Sequence, residues 1–137
     1  MSDSSDSLPV PYRVPEAAPY WEGAKNGILR LQYCDSCQTA RFYPRHLCPR
    51  CGSSEVSWRD ASGRGNVFSS TVVHRGPTPA FKGRQPYVVA LIDLAEGPRM
   101  MSNIVGDDAD QTAIGDAVCV EFEPRHDFML PVFRRLS

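Results

Sequence analysis

Two cysteine pairs separated by the ten residues 38–47 decide the fold, and the sequence writes them as Cys34-Asp35-Ser36-Cys37 and Cys48-Pro49-Arg50-Cys51. Two C-x-x-C pairs at this separation put four soft thiolates on two short turns that can close over one ion. We therefore predict one metal site, with ligands Cys34, Cys37, Cys48 and Cys51. Four protein ligands leave no open position for water or substrate, so the site is structural rather than catalytic.

The metal that suits this site is Zn²⁺, and the alternatives are few. A redox pair is disfavoured because the C-x-x-C occurs twice at ribbon spacing and no βαβ pattern flanks it. Iron in the rubredoxin manner uses the same four sulfurs, so the choice between zinc and iron stays open at this point. His46, between the pairs, is predicted to be a surface residue, and Cys119 a small core residue outside the site.

The length and cysteine content of the chain limit its class. A chain of 137 residues makes one modest domain, or a small module beside one, and a metal replaces part of the missing core. No apolar run approaches the roughly 18 residues of a membrane-spanning helix. The beginning of the chain has no secretory pattern, and four of five cysteines are assigned to metal, so we expect a cytoplasmic protein.

Charge is distributed unevenly along a chain whose net charge is -1. Residues 38–54 and 61–92 contain basic side chains and no acid, whereas residues 107–123 contain six acids and no base. Basic runs on one face would attract an anionic ligand, and an ordinary solvated surface is the alternative. Charge alone does not decide between them.

Four regions follow from local patterns. Residues 1–15, rich in Ser, Asp and Pro, are predicted to be a flexible tail. Residues 16–27 have helical spacing of apolar side chains and end at Gly27. The aromatic pair Tyr20 and Trp21 on this helix either packs on the ribbon or contacts a partner. Residues 28–59 are assigned to the zinc ribbon, in which Phe42 and Tyr43 are expected to cover the metal site, and residues 60–137 to a β domain.

The β domain is predicted from short runs rich in Val, Ile, Phe and Thr. Five runs read as strands, at residues 67–74, 87–94, 100–105, 117–123 and 130–134, with one helical turn at 112–115. Five such strands suit a small Greek-key barrel of the OB type. The expected fold class is mainly β: an N-terminal helix, a four-cysteine zinc ribbon and a five-stranded OB-fold barrel.

Six segments in this order resemble the DUF35 family: 20–23 (YWEG), 31–34 (LQYC), 63–69 (GRGNVFS), 86–92 (PYVVALI), 114–118 (IGDAV) and 130–134 (LPVFR). The resemblance extends over nearly the whole chain beyond the tail and implies an N-terminal helix, a rubredoxin-like zinc ribbon and an acyl-CoA-associated OB-fold. One departure is Gln38, where the family usually has glycine after the second cysteine. That loosens the expected turn and leaves all four ligands in place.

The resemblance implies accessory work in acyl-CoA chemistry. Such chains act beside thiolases, thiolase-like aldolases, hydratases or hydroxymethylglutaryl-CoA synthases, in hetero-oligomers that handle CoA thioesters, some in steroid side-chain or fatty-acid degradation. We therefore expect a subunit that is not an enzyme by itself and has no catalytic residue of its own. The histidines 46, 74 and 126 are scattered and indicate no nucleophile-base arrangement.

A proline- and glycine-rich loop over residues 75–86 offers cations and one aromatic ring, the side chains that suit phosphates and adenine. The candidate CoA contacts are Arg75, Phe81, Lys82 and Arg84, with Arg64 as a further candidate. The alternatives are a surface loop with no ligand and a loop that contacts a protein partner.

A second class of function is single-stranded nucleic-acid binding. OB barrels and zinc ribbons both occur in such proteins, and Phe42, Tyr43 and Phe81 stand near arginines. The acidic second half and a pI near 6.3 count against it, since nucleic-acid modules usually show a net basic surface.

Overall fold

The computed structural model describes residues 8–11, 14–77 and 79–136, apart from the side chain of Lys82, and consists of a helix, a small sheet and a barrel. Most of the predicted tail, namely residues 1–7, 12 and 13, lies outside the described part of the chain. No helix among the described residues is long and apolar enough to cross a bilayer.

The N-terminal helix begins with a single 3-10 turn, Pro15–Ala17, and continues as α1, Ala18–Lys25. Proline is suited to a first turn because its missing N–H has no helical partner there. The chain leaves the helix through Asn26 and Gly27, whose φ of 78° lies in the left-handed region that glycine adopts without strain. Tyr20, Gly23 and Ala24 are buried, and they define the face that packs on the rest of the molecule.

The ribbon is a three-stranded antiparallel sheet in the order β2-β1-β3. Its strands are β1, Arg30–Cys34, β2, Thr39–Arg41, and β3, Val56–Asp60. Because β2 has only three residues, it is too short to show a period-2 pattern in the sequence. The first cysteine pair lies on the β1–β2 turn, and the second lies in the segment between β2 and β3.

The predicted five-stranded barrel is confirmed. It comprises β4, Arg64–Val73, β5, Tyr87–Leu94, β6, Arg99–Val105, β7, Ala117–Arg125, and β8, Phe128–Arg135. The strands close in the order β4-β5-β6-β8-β7, and the β6–β8 pair is parallel while the others are antiparallel. Closure gives every strand two neighbours, so no strand has an edge that is open over its whole length.

The helical turn predicted at 112–115 is wrong: a 3-10 turn occupies Ala109–Gln111 instead. The segment after it docks on β4, where the Gly115 N–H donates to the Val67 carbonyl at 2.7 Å. Gly115 has a φ of 93°, so this docking requires a left-handed backbone that a helical turn does not provide.

The barrel core is built from side chains that alternate between buried and half-exposed positions, most regularly along β5. Along β5 the side chains of Val88, Ala90, Ile92 and Leu94 are buried and their neighbours are half-exposed. Phe133 on β8 is fully buried among them. Each of these side chains larger than alanine stabilises the fold by about 1.5–3 kcal/mol relative to exposure.

An aromatic cluster joins the helix, the ribbon and the barrel. Tyr20 on α1 packs against Phe42 and Tyr43 of the ribbon, with ring centroids 5.5 and 6.3 Å apart, and Trp21 meets Phe128 of β8 at 4.8 Å. The rings of Phe42 and Tyr43 contact Tyr20 of the helix and each other. That they also cover the metal site stays a prediction.

Candidate functional site

The metal-binding turns repeat one backbone geometry. The Gln38 N–H donates to the Cys34 carbonyl at 2.7 Å, and the Gly52 N–H donates to the Cys48 carbonyl at 2.8 Å. Gln38 and Gly52 both have positive φ, 58° and 76°. The left-handed residue after each pair turns the chain so that both cysteines of a pair face the same point.

The four predicted ligands come together. The Sγ atoms of Cys34 and Cys51 are 3.6 Å apart, those of Cys37 and Cys48 are also 3.6 Å apart, and all four lie within 4.8 Å of one another. Zn–S bonds of about 2.3 Å in a tetrahedron require S···S edges of about 3.8 Å. The donor set and its spacing therefore fit one tetrahedral Zn²⁺.

The backbone of the turns favours thiolates at two of the ligands. Donation from the Cys37 N–H lowers the pKa of Cys34, and donation from the N–H groups of Cys51 and Arg50 lowers the pKa of Cys48 to about 6. The Ser53 N–H also lowers the pKa of Cys51, but desolvation and the neighbouring sulfurs outweigh it and raise that pKa to about 11. Since a metal binds deprotonated sulfur, its binding would release protons at the cluster.

Hydrogen bonds between the two turns hold them in register. The Ser36 hydroxyl donates to the Ser53 hydroxyl at 3.0 Å, and the Asp35 N–H donates to the Glu55 carbonyl at 2.9 Å. The Ser57 hydroxyl donates to Asp35 at 2.8 Å. Sequence reasoning missed these supporting residues, because short polar side chains in a loop carry no signal of their partners.

The residues excluded from the site lie elsewhere. Cys119 is on β7, half-buried, outside the cluster of ligands found in the described part of the chain. His46 is exposed and borders a different cleft, together with Gln32 and Trp58.

A second site lies at one end of the barrel, in a groove of about 460 Å³. We call it the barrel groove; among its lining residues are Phe81, Arg84, Tyr87, Asn103 and Arg125. Phe81 belongs to the 3-10 helix Pro79–Arg84, and its ring stacks on Tyr87 with centroids 5.2 Å apart and an interplanar angle of 25°. The groove thus has an aromatic wall beside two guanidinium groups.

The guanidinium groups in the barrel groove are already paired. Arg84 and Arg125 both donate to the same oxygen of Glu123, at 3.0 and 3.3 Å. Asp107 and Asp110 also line the groove, so its charges nearly cancel. The groove is therefore mixed in character rather than a strongly basic pocket.

The structure separates the candidate CoA contacts. Phe81 and Arg84 lie together in the barrel groove. Arg75 is exposed and precedes Gly76, whose N–H donates to the Gln85 side chain and so closes the loop. Arg64 is the first residue of β4, whereas the groove is lined by Val72, near the last residue of the same strand. The side chain of Lys82 lies outside the described part of the chain. Tyr87 and Arg125 complete the groove, and the strand pattern carried no signal for them.

The two aromatic residues on α1, Tyr20 and Trp21, differ in exposure. Tyr20 is 3% exposed, and burial raises the pKa of its hydroxyl well above the usual value. Trp21 is half-buried and borders two surface grooves, and its Nε1 has no hydrogen-bond partner among the described residues. Tyr20 also borders one of these grooves, and Trp21 is the more exposed of the two predicted partner contacts, which stay predictions.

Two family models match consecutive parts of the chain. Residues 21–57 match the model described as the ChsH2 rubredoxin-like zinc ribbon domain, and residues 58–123 match the ChsH2 C-terminal OB-fold domain. Together they cover the ribbon, with most of the helix, and most of the barrel.

Several curated proteins are similar to this chain. A probable enoyl-CoA hydratase alpha subunit from Thermomonospora curvata is 42% identical over 84% of this chain, which spans only 36% of that subunit. A DUF35 domain-containing scaffold protein from Methanothermobacter thermautotrophicus is 39% identical over 65% of this chain and 67% of its own length.

A solved structure titled Ltp2-ChsH2(DUF35) aldolase superposes on this chain with a TM-score of 0.81 and 39% identity, covering 92% of this chain and 98% of that one. The same helix, zinc ribbon and OB barrel occur in the same order on this chain, with all four metal ligands in place. The chain belongs to the DUF35 family.

Proposed function

We propose that this chain is a non-catalytic accessory subunit of an acyl-CoA-processing enzyme, of the thiolase, thiolase-like aldolase or hydratase class. The observation that carries the proposal is the end-to-end similarity to the DUF35 chain of an aldolase complex. The relative named as a hydratase subunit supports the same class of partner.

In this role the zinc ribbon is a rigid connector. One ion holds the two turns, and the segment after β2 carries Phe42 and Tyr43, whose rings pack on Tyr20 of α1. The next helix residue, Trp21, packs on Phe128 of β8. Metal binding of this kind is coupled to folding. The ion therefore stabilises the relative arrangement of helix and barrel on which a partner would depend.

The barrel groove is proposed to receive part of a CoA thioester. The stacked Phe81 and Tyr87 rings offer a face for adenine, and Arg84 and Arg125 are the donors for phosphate. Arg84 is 47% exposed at its side chain, and exposed ion pairs of this kind contribute only about 0–1 kcal/mol. A phosphate can therefore replace Glu123 as the partner of Arg84 at little cost. Arg75 and Lys82 stay candidates at the same loop, and Arg64 stays a candidate farther away.

Affinity purification of the tagged full chain from its native host tests the partner class. The proposal predicts that an acyl-CoA enzyme co-purifies in stoichiometric amount and survives a wash at high salt. Recovery of single-stranded nucleic acid instead, released as salt rises, would support the nucleic-acid alternative and contradict the proposal. Assays with steroid and fatty acyl-CoA thioesters then identify the acyl group.

A further inference from the structure

The outward side of strands β5 and β6 is apolar near its centre. The register pairs Leu91 with Met101 and Val89 with Asn103 on the outer side of the barrel, because Val88, Ala90, Ile92 and Met100 are buried. Met101 is 66% exposed. Met101 and the half-exposed Leu91 and Val89 are neighbours on this side of the barrel, so they form a contiguous apolar strip rather than scattered single side chains.

A β-bulge adds an aromatic ring to this surface. The β4–β5 register shifts between Val67 and Ser69, which leaves Phe68 as the extra residue. Phe68 is 45% exposed, and the Arg99 guanidinium from β6 lies 3.5 Å from its ring centroid, so the ring is on the outer side of the sheet. Bulges commonly redirect a side chain in this way. We call Phe68, Val89, Leu91 and Met101 the apolar strand face.

The charges beside the apolar strand face cancel. Along β5 and β6 the charged residues are Asp93 and Arg99, which form an ion pair at 2.6 Å next to Phe68. The outer side of these two strands is where OB folds commonly bind nucleic acid. Here those strands offer no unpaired cation for a phosphate backbone or an anionic membrane surface. Aromatic, aliphatic and methionine side chains instead match the composition of protein interfaces.

The apolar strand face continues into the barrel groove. Tyr87, Asn103 and Val105, which lie on the outer side of the same two strands, line that groove. A protein seated on Leu91 and Met101 would therefore border the groove directly. Because the face and the groove adjoin, the face suits an enzyme whose ligand also enters the groove better than a partner with no ligand in common.

We propose that the apolar strand face is the docking surface for the acyl-CoA enzyme partner, which it would bring to the edge of the barrel groove. The inference rests on the proposed function, because it assigns that partner to one surface. The anchor residues are Phe68, Leu91 and Met101, and the Asp93–Arg99 pair forms the polar rim, in the usual arrangement of an apolar centre with a charged margin.

The test uses the full chain and the enzyme that co-purifies with it. Met101→Glu puts a charge at the centre of the face, and its high exposure means that the fold tolerates the change. Leu47→Glu is the matched control, since Leu47 is 50% exposed on the ribbon. We expect the affinity for the partner to fall about tenfold or more for Met101→Glu and to stay within about twofold for Leu47→Glu.

Oxidation of methionine supplies a second measurement without a mutation. Dilute peroxide should oxidise Met101 readily in the free chain and several-fold more slowly in the complex, as read by peptide mass spectrometry. Unchanged affinity for Met101→Glu, or equal oxidation rates of Met101 with and without partner, would overturn the assignment. A wild-type homodimer that Met101→Glu dissociates would overturn it in favour of a second copy. If no acyl-CoA enzyme co-purifies at all, the proposed function itself fails, which is a separate result.

Discussion

Gln38 and Gly52 occupy equivalent positions in the two metal-binding turns. Each follows the second cysteine of its pair, each donates its N–H to the carbonyl of the first cysteine, at 2.7 and 2.8 Å, and each has a left-handed backbone. Glycine adopts this conformation freely, whereas a residue with a side chain is strained by about 1–2 kcal/mol. The first turn therefore carries a strain that the second turn avoids.

Substitutions at Gln38 and at Gly52 should change the free energy of unfolding in opposite directions. We expect Gln38→Gly to raise the free energy of unfolding by about 0.5–1 kcal/mol, because relief of strain exceeds the added entropy of the unfolded chain. Gly52→Ala should lower it by about 1 kcal/mol through the backbone alone, since a Cβ there meets no atom within 4 Å. Denaturant unfolding followed by far-UV circular dichroism, in saturating zinc, measures both.

Gly83→Ala is the control for the glycine exchange. Gly83 also has open space around its Cβ position, but its φ is not positive. Alanine there should be neutral or stabilising by up to about 1 kcal/mol. Equal destabilisation by Gly52→Ala and Gly83→Ala would show that the left-handed turn is not the cause.

The metal site should contain one zinc ion per chain and should be needed for folding. Cys34→Ser or Cys48→Ser is expected to lose the ion, several kcal/mol of stability and the ability to assemble with the partner. Cys119→Ser should keep the ion, because Cys119 is not in the cluster. Elemental analysis of the purified variants gives the metal content and separates zinc from iron. A Cys34→Ser variant that still assembles normally would refute the structural role.

The acid sensitivity of the barrel should depend in part on Asp116. Donation from the Ala113 N–H, and then the Arg135 guanidinium at 3.0 Å, lower the pKa of Asp116 below its usual value of about 3.9. A depressed carboxyl pKa contributes stability that is present above the unfolded-state pKa and is lost as pH falls through the folded-state pKa. Asp116→Asn should therefore be less stable than wild type at pH 7, by a difference that narrows as pH falls below about 3.9.

Unfolding curves of wild type and Asp116→Asn across pH check this difference. Glu55→Gln is a suitable control, because Glu55 is an exposed ribbon residue and its side chain should make little difference at any pH. A gap between wild type and Asp116→Asn that stays constant down to pH 2 would contradict the electrostatic explanation.

Binding of a CoA thioester should depend on the barrel groove. Phe81→Ala and Arg84→Ala are each expected to weaken binding of acetyl-CoA by about five- to tenfold, through loss of stacking and of a phosphate donor. Arg59→Ala removes an exposed cation on β3, outside the groove lining, and distinguishes a groove from a general effect of charge. Isothermal titration with the assembled complex measures the affinity, and equal losses for the Arg59 and Arg84 variants would contradict the groove assignment.

Much of this architecture could be predicted from residue patterns. The four ligands follow from spacing alone, and the five barrel strands follow from β-branched alternation, to within a few residues at their ends. The strand β2 and the 3-10 turn Ala109–Gln111 did not, because three residues show no period. The helical turn expected at 112–115 failed because the Gly115 N–H bonds to Val67 of β4, far away in sequence.

The surfaces were harder to predict than the fold. Arg84 could be named as a candidate from the sequence. Its pairing with Glu123 could not, because it joins the 3-10 helix Pro79–Arg84 to β7, 39 residues later in the chain. Phe68 reads as an ordinary strand residue, and only the register shift beside it places the ring outside. Strand register and β-bulges depend on how strands pair in the folded protein, and residue patterns along the sequence do not show this.

The central claim is that this chain works through an acyl-CoA enzyme and has no turnover of its own. The direct measurement is the rate at which the co-purifying enzyme converts its CoA thioester, alone and after addition of the purified chain, beside the chain alone. The account predicts no turnover by the chain, low activity of the enzyme alone, and an increase of about tenfold or more at a one-to-one ratio, since assembly completes the site. An enzyme that is fully active without the chain, or a chain that converts the thioester by itself, would contradict it.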